Sequence, residues 1–193
     1  MNKIKGLQEL KNMGLATVNY VIYSDGFKYE LLNGMRKYLI RKSLKSNCSQ
    51  TSLGALRNLN VSELEKYVTK IKNNYDLIIQ EEVKIDFYGS ASRFKNGIYD
   101  ILCIELYKSL EDRNSGKVSD KLICTIDSDD NYKFMYLPKN NIMKHILYDV
   151  RKLVVYNQYE IEFIISGKNI YYTDFDTKEK ENIYEKRYLK KNS

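Results

Sequence analysis

The chain has one proline, one histidine, three cysteines and no tryptophan among its 193 residues. No apolar run approaches the roughly 18 residues of a membrane-crossing helix, so nothing in it reads as a span. The opening residues, MNKIKGLQEL, lack the apolar centre of a signal peptide, which gives a cytoplasmic location as the expectation. Cys48, Cys103 and Cys124 are odd in number and widely spaced. They fit neither a disulfide framework nor a zinc site and are expected as reduced packing residues. The lone histidine, His145, has no serine or cysteine motif around it that would make a base–nucleophile pair. Neither GxxxxGK[ST] nor GxGxxG occurs, which excludes the phosphate loops those patterns signal.

What is present is a globular composition, 43% hydrophobic and 30% charged, enough for one core or for two small lobes sharing a cleft. The net charge of +7 admits an anionic partner. Its lysines are spread over helix faces and the tail KEKENIYEKRYLKKNS, and the 18 tyrosines are scattered through alternating segments. That diffuse pattern weakens the reading as a basic nucleic-acid-binding protein, and because charge favours polyphosphates as well, it does not separate that reading from a nucleotide site.

Helices concentrate early and strands late. Ile4, Leu7, Leu10 and Met13 recur at helical spacing, and Gly14 stops that helix. Thr17 to Ser24 reads as a strand, Phe27 to Met35 as a helix, and Tyr38 to Arg41 as a short strand before a polar loop closing at Gly54. Ser62 with Glu65 has capping-box spacing and opens a helix with Leu64, Tyr67, Val68 and Ile71 on one face. Strands follow at Asp76 to Val83, Asp86 to Arg93, Ile98 to Leu106 and Lys121 to Asp127. Ile142, Ile146, Val150 and Leu153 mark a helix from just after Pro138 to about Val155. The reading is an α+β fold. It has a first lobe at 1–75, a larger antiparallel-sheet lobe at 76–177 and a charged tail at 178–193.

The stretch Glu160 to Asp176, EIEFIISGKNIYYTDFD, carries the strongest local pattern. A three-residue loop Gly167-Lys168-Asn169 would pair Ser166 with Ile170, Glu162 with Asp174 and Glu160 with Asp176. Ile161, Phe163, Ile165, Tyr171, Thr173 and Phe175 would share the apolar face. Four carboxylates then crowd the other face, where like charges repel unless a divalent cation or nearby lysines neutralise them.

Taken together, several segments resemble the ATP-grasp nucleotide-binding domain of pyruvate phosphate dikinase and phosphoenolpyruvate synthase. KIKGLQELKNMGLATVNYVIYS is similar to that family's opening helix, turn and strand, with Lys5-Gly6 at its nucleotide-binding lysine. IRKS at Ile40 to Ser43 resembles "vRSS", and the loop reaching Ser52 and Gly54 resembles the phosphate-covering loop. IIQEEV at Ile78 to Val83 resembles the interlobe strand "vivQxmV", YGSASR the "sGVaft" segment, and Ser115-Gly116 a later "vsG". EIEF with Asp174 resembles "DIEF…Q-x-R", with the family's spacing of twelve from Glu162 to Asp174.

The resemblance implies a two-lobed ATP-grasp-like fold that binds ATP and Mg²⁺. Lys5, Arg41, Ser52, Gly54, Gln80 and Glu82 would contact the nucleotide, Arg41 would serve catalysis, and Glu162 and Asp174 would hold the metal. The implied activity is phosphotransfer of the dikinase type, with the phosphohistidine or other acceptor on a separate protein. Asp174 stands where the family has glutamine, and Asp176 where it has a phosphate-contacting arginine, so a degenerate binding or interaction module is the alternative. A further alternative is a degenerate nucleotidyltransferase, from YGSASR followed by Asp100. Position 102 is leucine, however, and Glu105 falls on the other strand face.

Overall fold

The computed structural model describes residues 3–23, 37–44, 55–72, 75–153 and 155–177. The helix expected at 27–35, Cys48, Ser52, Gly54 and the tail at 178–193 lie outside the described residues. In chain order the elements are α1 (Lys3–Asn12), β1 (Tyr20–Ile22), β2 (Tyr38–Leu44), β3 (Ala55–Leu59), α2 (Val61–Ile71) and β4 (Tyr75–Glu81). Then come β5 (Phe87–Asn96), β6 (Tyr99–Tyr107), α3 (Leu110–Ser115), β7 (Asp120–Ile126), β8 (Tyr132–Tyr136) and α4 (Ile142–Val150). A 3₁₀ turn at Arg151–Leu153 leads to β9 (Tyr159–Ser166) and β10 (Asn169–Asp176). The strands form two antiparallel sheets, ordered β1-β4-β2-β3 and β10-β9-β5-β6-β7-β8. The α+β class expected from the sequence is the observed one.

Each sheet is covered by its own helices. On the smaller sheet, Tyr38, Ile40, Leu77 and Ile79 pack under Leu64 and Val68 of α2. On the larger one, Ala91, Ile104, Phe163 and Phe175 form a core with Leu7 and Leu10 of α1 and with Met143, Ile146 and Val150 of α4. Each fully buried Leu, Ile, Val, Phe or Met among them contributes about 1.5–3 kcal/mol. The helix α2 is capped by Asn60 and Glu63, which exchange side-chain to backbone bonds of 3.0 and 2.9 Å, and not by Ser62 and Glu65. Both pairs have the same spacing, but the earlier cap lets the helix begin two residues sooner while Leu64 and Val68 still point inward. Three elements were not expected: β3, α3 and β8. The chain leaves the smaller sheet only after Glu81, so sheet membership changes at 82–86, later than the division near residue 75 read from the sequence.

The hairpin of β9 and β10 meets its expected register by a different route. Asn169 pairs with Ser166, so the loop is two residues, with Gly167 at φ 61° in its first position. That places Tyr172, not Tyr171 or Thr173, opposite Phe163 in the core. A bulge between Tyr172 and Asp174 then inserts Thr173 and restores Glu162 opposite Asp174 and Glu160 opposite Asp176. Two turn residues and one bulge residue thus give the pairs that a three-residue loop would have given.

A candidate nucleotide cleft between the two sheets

Cross-strand partners share a sheet face, so the register fixes which side chains line the surface opposite the core. One row runs Asp174, Glu162, Ser90, Glu105 and Lys121 across β10, β9, β5, β6 and β7. The next row runs Asp176, Glu160, Ser92, Cys103 and Ile123. On the smaller sheet the face turned away from α2 carries Leu39, Arg41 and Ser43 of β2, paired with Gln80, Ile78 and Asp76 of β4. Ile78 on this face joins the core of the larger sheet, which shows that the face looks toward it.

Arg41 crosses the interval. Its Nη1 donates to the Thr173 carbonyl, and its Nη2 lies 3.1 Å from Asp174 Oδ2. The bulge frees the Thr173 carbonyl from the ladder, and the planar guanidinium fork takes the two neighbouring acceptors at once. Lys3, at the start of α1, reaches the same Asp174 oxygen at 3.3 Å. It can do so because α1 lies close on β10: a Cβ on Gly6 would sit 2.7 Å from the Phe175 carbonyl oxygen. Arg113, on α3, pairs with Glu162 through Nη2 and Oε1. Burial pushes the Glu162 carboxyl up, but the charge and hydrogen bond of Arg113 together with the charges of Arg41 and Lys3 outweigh it, so the group is held below the ordinary glutamate value.

Of the residues picked from the sequence, Arg41, Glu162 and Asp174 come together. Gln80 is buried on the same face of the smaller sheet, near its far end. Its Nε2 has no hydrogen-bond partner, nor has the buried Ser43 Oγ beside Arg41, nor Ser92 Oγ on the facing sheet. Glu82 instead turns to β3, where it accepts from the Asn58 backbone and stands 3.8 Å from Arg57. Lys5 is exposed on α1, and the lysine at the acids is Lys3. Lys3 and Arg113 were not picked out from the sequence. The one local signal for α3 was Ser109 three residues before Asp112, whose backbone N donates to Ser109 Oγ at 3.0 Å.

Other candidates fall elsewhere. His145 is exposed on α4 and lines an open depression of about 370 Å³ with Asp149 and Tyr171, on the helix-covered side of the sheet away from Glu162 and Asp174. Asp100 faces the core side and is bound by Arg93 through contacts of 2.9–3.3 Å, while Glu105 faces the other way, so no carboxylate pair forms there. Ser115-Gly116 is the C-terminal cap of α3. Cys103 and Cys124 are free and buried. No described helix is long and apolar enough to cross a membrane.

Among the described residues no three His, Cys, Asp or Glu side chains converge into a closed cage. Two carboxylates face each other, Glu162 and Asp174, and that donor set fits Mg²⁺. Mg²⁺ is commonly held by one or two carboxylates and completes its shell with water and ligand phosphate oxygens.

Neither a family model nor a curated protein matches the chain. Solved structures do. N5-carboxyaminoimidazole synthetase from Staphylococcus aureus, in complex with ADP, is similar at a TM-score of 0.57 and 10% identity, over 93% of this chain and 45% of that one. D-alanine–D-alanine ligase from Helicobacter pylori gives 0.56 and 13%, over 91% and 50%. The same ligase from Bacillus anthracis, complexed with ATP, gives 0.51 and 13%, over 91% and 55%. All three are ATP-grasp enzymes, and the two-lobed ATP-grasp-like fold is therefore the fold of this chain. The chain spans about half the length of the structures it matches.

Proposed function

We propose that the chain binds Mg-ATP between its two sheets and passes a phosphoryl group to an acceptor on a separate protein, as phosphoenolpyruvate synthase-type enzymes do within one chain. The observation that carries this reading is Arg41 of the smaller sheet reaching Asp174 of the larger one, beside Glu162. Cations from both sides and two acids meet at one place, which is the charge pattern a metal-bound polyphosphate needs.

Each residue has a role in this account. Arg41, Lys3 and Arg113 exchange their carboxylate partners for phosphate oxygens, Arg41 with its planar fork as the catalytic contact. Lys5, exposed on α1, is the second lysine that the resemblance assigns to the nucleotide. Ser43 Oγ and Gln80 Nε2, buried without partners, supply hydrogen bonds that the ligand completes. Gln80 and the backbone at Glu82 take the base end, as the resemblance implies. Glu162 and Asp174 would hold Mg²⁺, whose contribution when bound is to neutralise charge at the phosphate oxygens.

Calorimetric titration with ATP and Mg²⁺ tests the binding. Heat of binding at submillimolar nucleotide is expected, and its absence at millimolar nucleotide overturns the reading. A second reading, binding without turnover, is favoured by the cations that already occupy both acids. It predicts nucleotide binding with no phosphoryl transfer to any histidine-bearing acceptor.

A further inference from the structure

We propose that the open edge of the larger sheet, strand β8, pairs with a second copy of this chain to give a two-fold dimer. The sheet has two edges, and they are treated differently. At β10 the edge is closed: the Tyr172 backbone N donates to Ala16 O at 2.8 Å, and α1 lies against Phe175 near Gly6. At the other end β8 borders only β7. Its outer backbone groups are a row of donors and acceptors ready for another strand.

The side chains on that edge are those of an interface. Phe134, Met135, Tyr136 and Leu137 are consecutive and are 43%, 64%, 40% and 68% exposed. Scattered apolar residues are ordinary on a surface, but four in a row along an edge strand and the residue after it form a patch. The register shift between Ile123 and Cys124 leaves Met135 as the extra residue of a bulge. The bulge keeps a long flat ladder from forming, so the contact would be short and completed by side chains.

The charges make the surface complementary to itself. Exposed Asp127, Asp129 and Asp130 precede the strand, and exposed Lys139 follows it. An antiparallel pairing with a two-fold axis at Phe134 lays Asp129 of one copy beside Lys139 of the other. The same axis sets Tyr132 against Tyr136 and the aliphatic stem of Lys133 along Met135. Residues 127–139 hold three acids and two lysines, so this edge escapes the mutual repulsion of chains that carry +7 overall. Because β8 is the one open edge of the larger sheet among its described strands, pairing it with its own copy is isologous and closes at two copies. Glu162 and Asp174 lie on β9 and β10, at the far side of the sheet, and stay accessible in the dimer.

Sedimentation velocity over a concentration series tests this. A species of twice the 22.8 kDa chain mass is expected. Met135→Lys with Leu137→Lys should weaken dimerisation by about a hundredfold, with thermal unfolding of the monomer unchanged because both positions face solvent. Asp129→Lys or Lys139→Asp alone should weaken it about tenfold, and the two together should restore it, since the pair re-forms with its signs exchanged. A wild-type chain that stays monomeric to its solubility limit overturns the proposal. So does a dimer that survives the double lysine variant, or one indifferent to both charge swaps.

Discussion

Arg41 and Asp174 stand 133 residues apart in the chain and 3.1 Å apart in space, one on each sheet. Arg41 contacts both the Thr173 carbonyl and the Asp174 carboxylate across that interval, so it ties the two halves of the site. Arg41→Ala should lower Mg-ATP affinity by about ten- to a hundredfold, and Arg41→Lys should recover little of it, because an ammonium cannot address two neighbouring acceptors in one plane. Calorimetry on the three proteins checks this. Equal affinity in all three removes Arg41 from the site.

Gly6→Ala sets two effects against each other. Alanine in a helix is favoured over glycine by up to about 1 kcal/mol. Here its Cβ would meet the Phe175 backbone oxygen at 2.7 Å, a contact relieved only by moving α1 off β10. Overpacking of this kind costs about 1–3 kcal/mol. The expected net effect in urea denaturation is a loss of about 1 kcal/mol. Withdrawal of Lys3 from Asp174 should weaken nucleotide binding as well.

Deleting Thr173 separates register from anchoring. The shortened β10 regains a regular ladder with the Glu162–Asp174 and Ile161–Phe175 pairs intact, so thermal stability should change little. Arg41 loses its carbonyl acceptor, and nucleotide affinity should fall. A variant that unfolds, or one that binds as the parent does, contradicts the role assigned to the bulge.

Tyr172 and Tyr159 give a pH dependence whose sign is fixed. Burial holds both phenols far above the ordinary tyrosine range, with Asp149 adding to the effect at Tyr172, whose hydroxyl donates to it at 3.0 Å. The folded chain therefore keeps protons that the unfolded chain releases. The associated stability is fully present below the ordinary tyrosine value and is lost as pH rises beyond it. Tyr172→Phe should flatten that alkaline fall while costing about 1 kcal/mol at neutral pH for the lost hydrogen bond. Denaturation curves at neutral and alkaline pH measure both effects.

The sequence shows period-two and helical patterns plainly, so the core strands and α1, α2 and α4 were legible. The hairpin shows where legibility ends. Glu162 opposite Asp174 was foreseen, but from a loop that does not form, because a bulge leaves no mark in a hydrophobic pattern and its insertion compensates a one-residue change in the turn. Lys3 and Arg113 were missed for a related reason. Their partners lie far off in the chain, and a single basic residue on a short or terminal helix looks like any other surface charge. The strand β8 reads YKFMY without alternation, since it is half-covered at most, and so gives no period-two signal.

The central claim is that Glu162 and Asp174 take a divalent cation together with a bound nucleotide. It is tested most directly by the Mg²⁺ dependence of ATP affinity in the parent chain and in Glu162→Gln, with Asp174→Asn as the matching control. The parent should bind ATP at least about tenfold more tightly with Mg²⁺ than without, and each variant should lose that difference while still binding metal-free ATP through Arg41 and Lys3. Unchanged Mg²⁺ dependence in both variants would contradict the account.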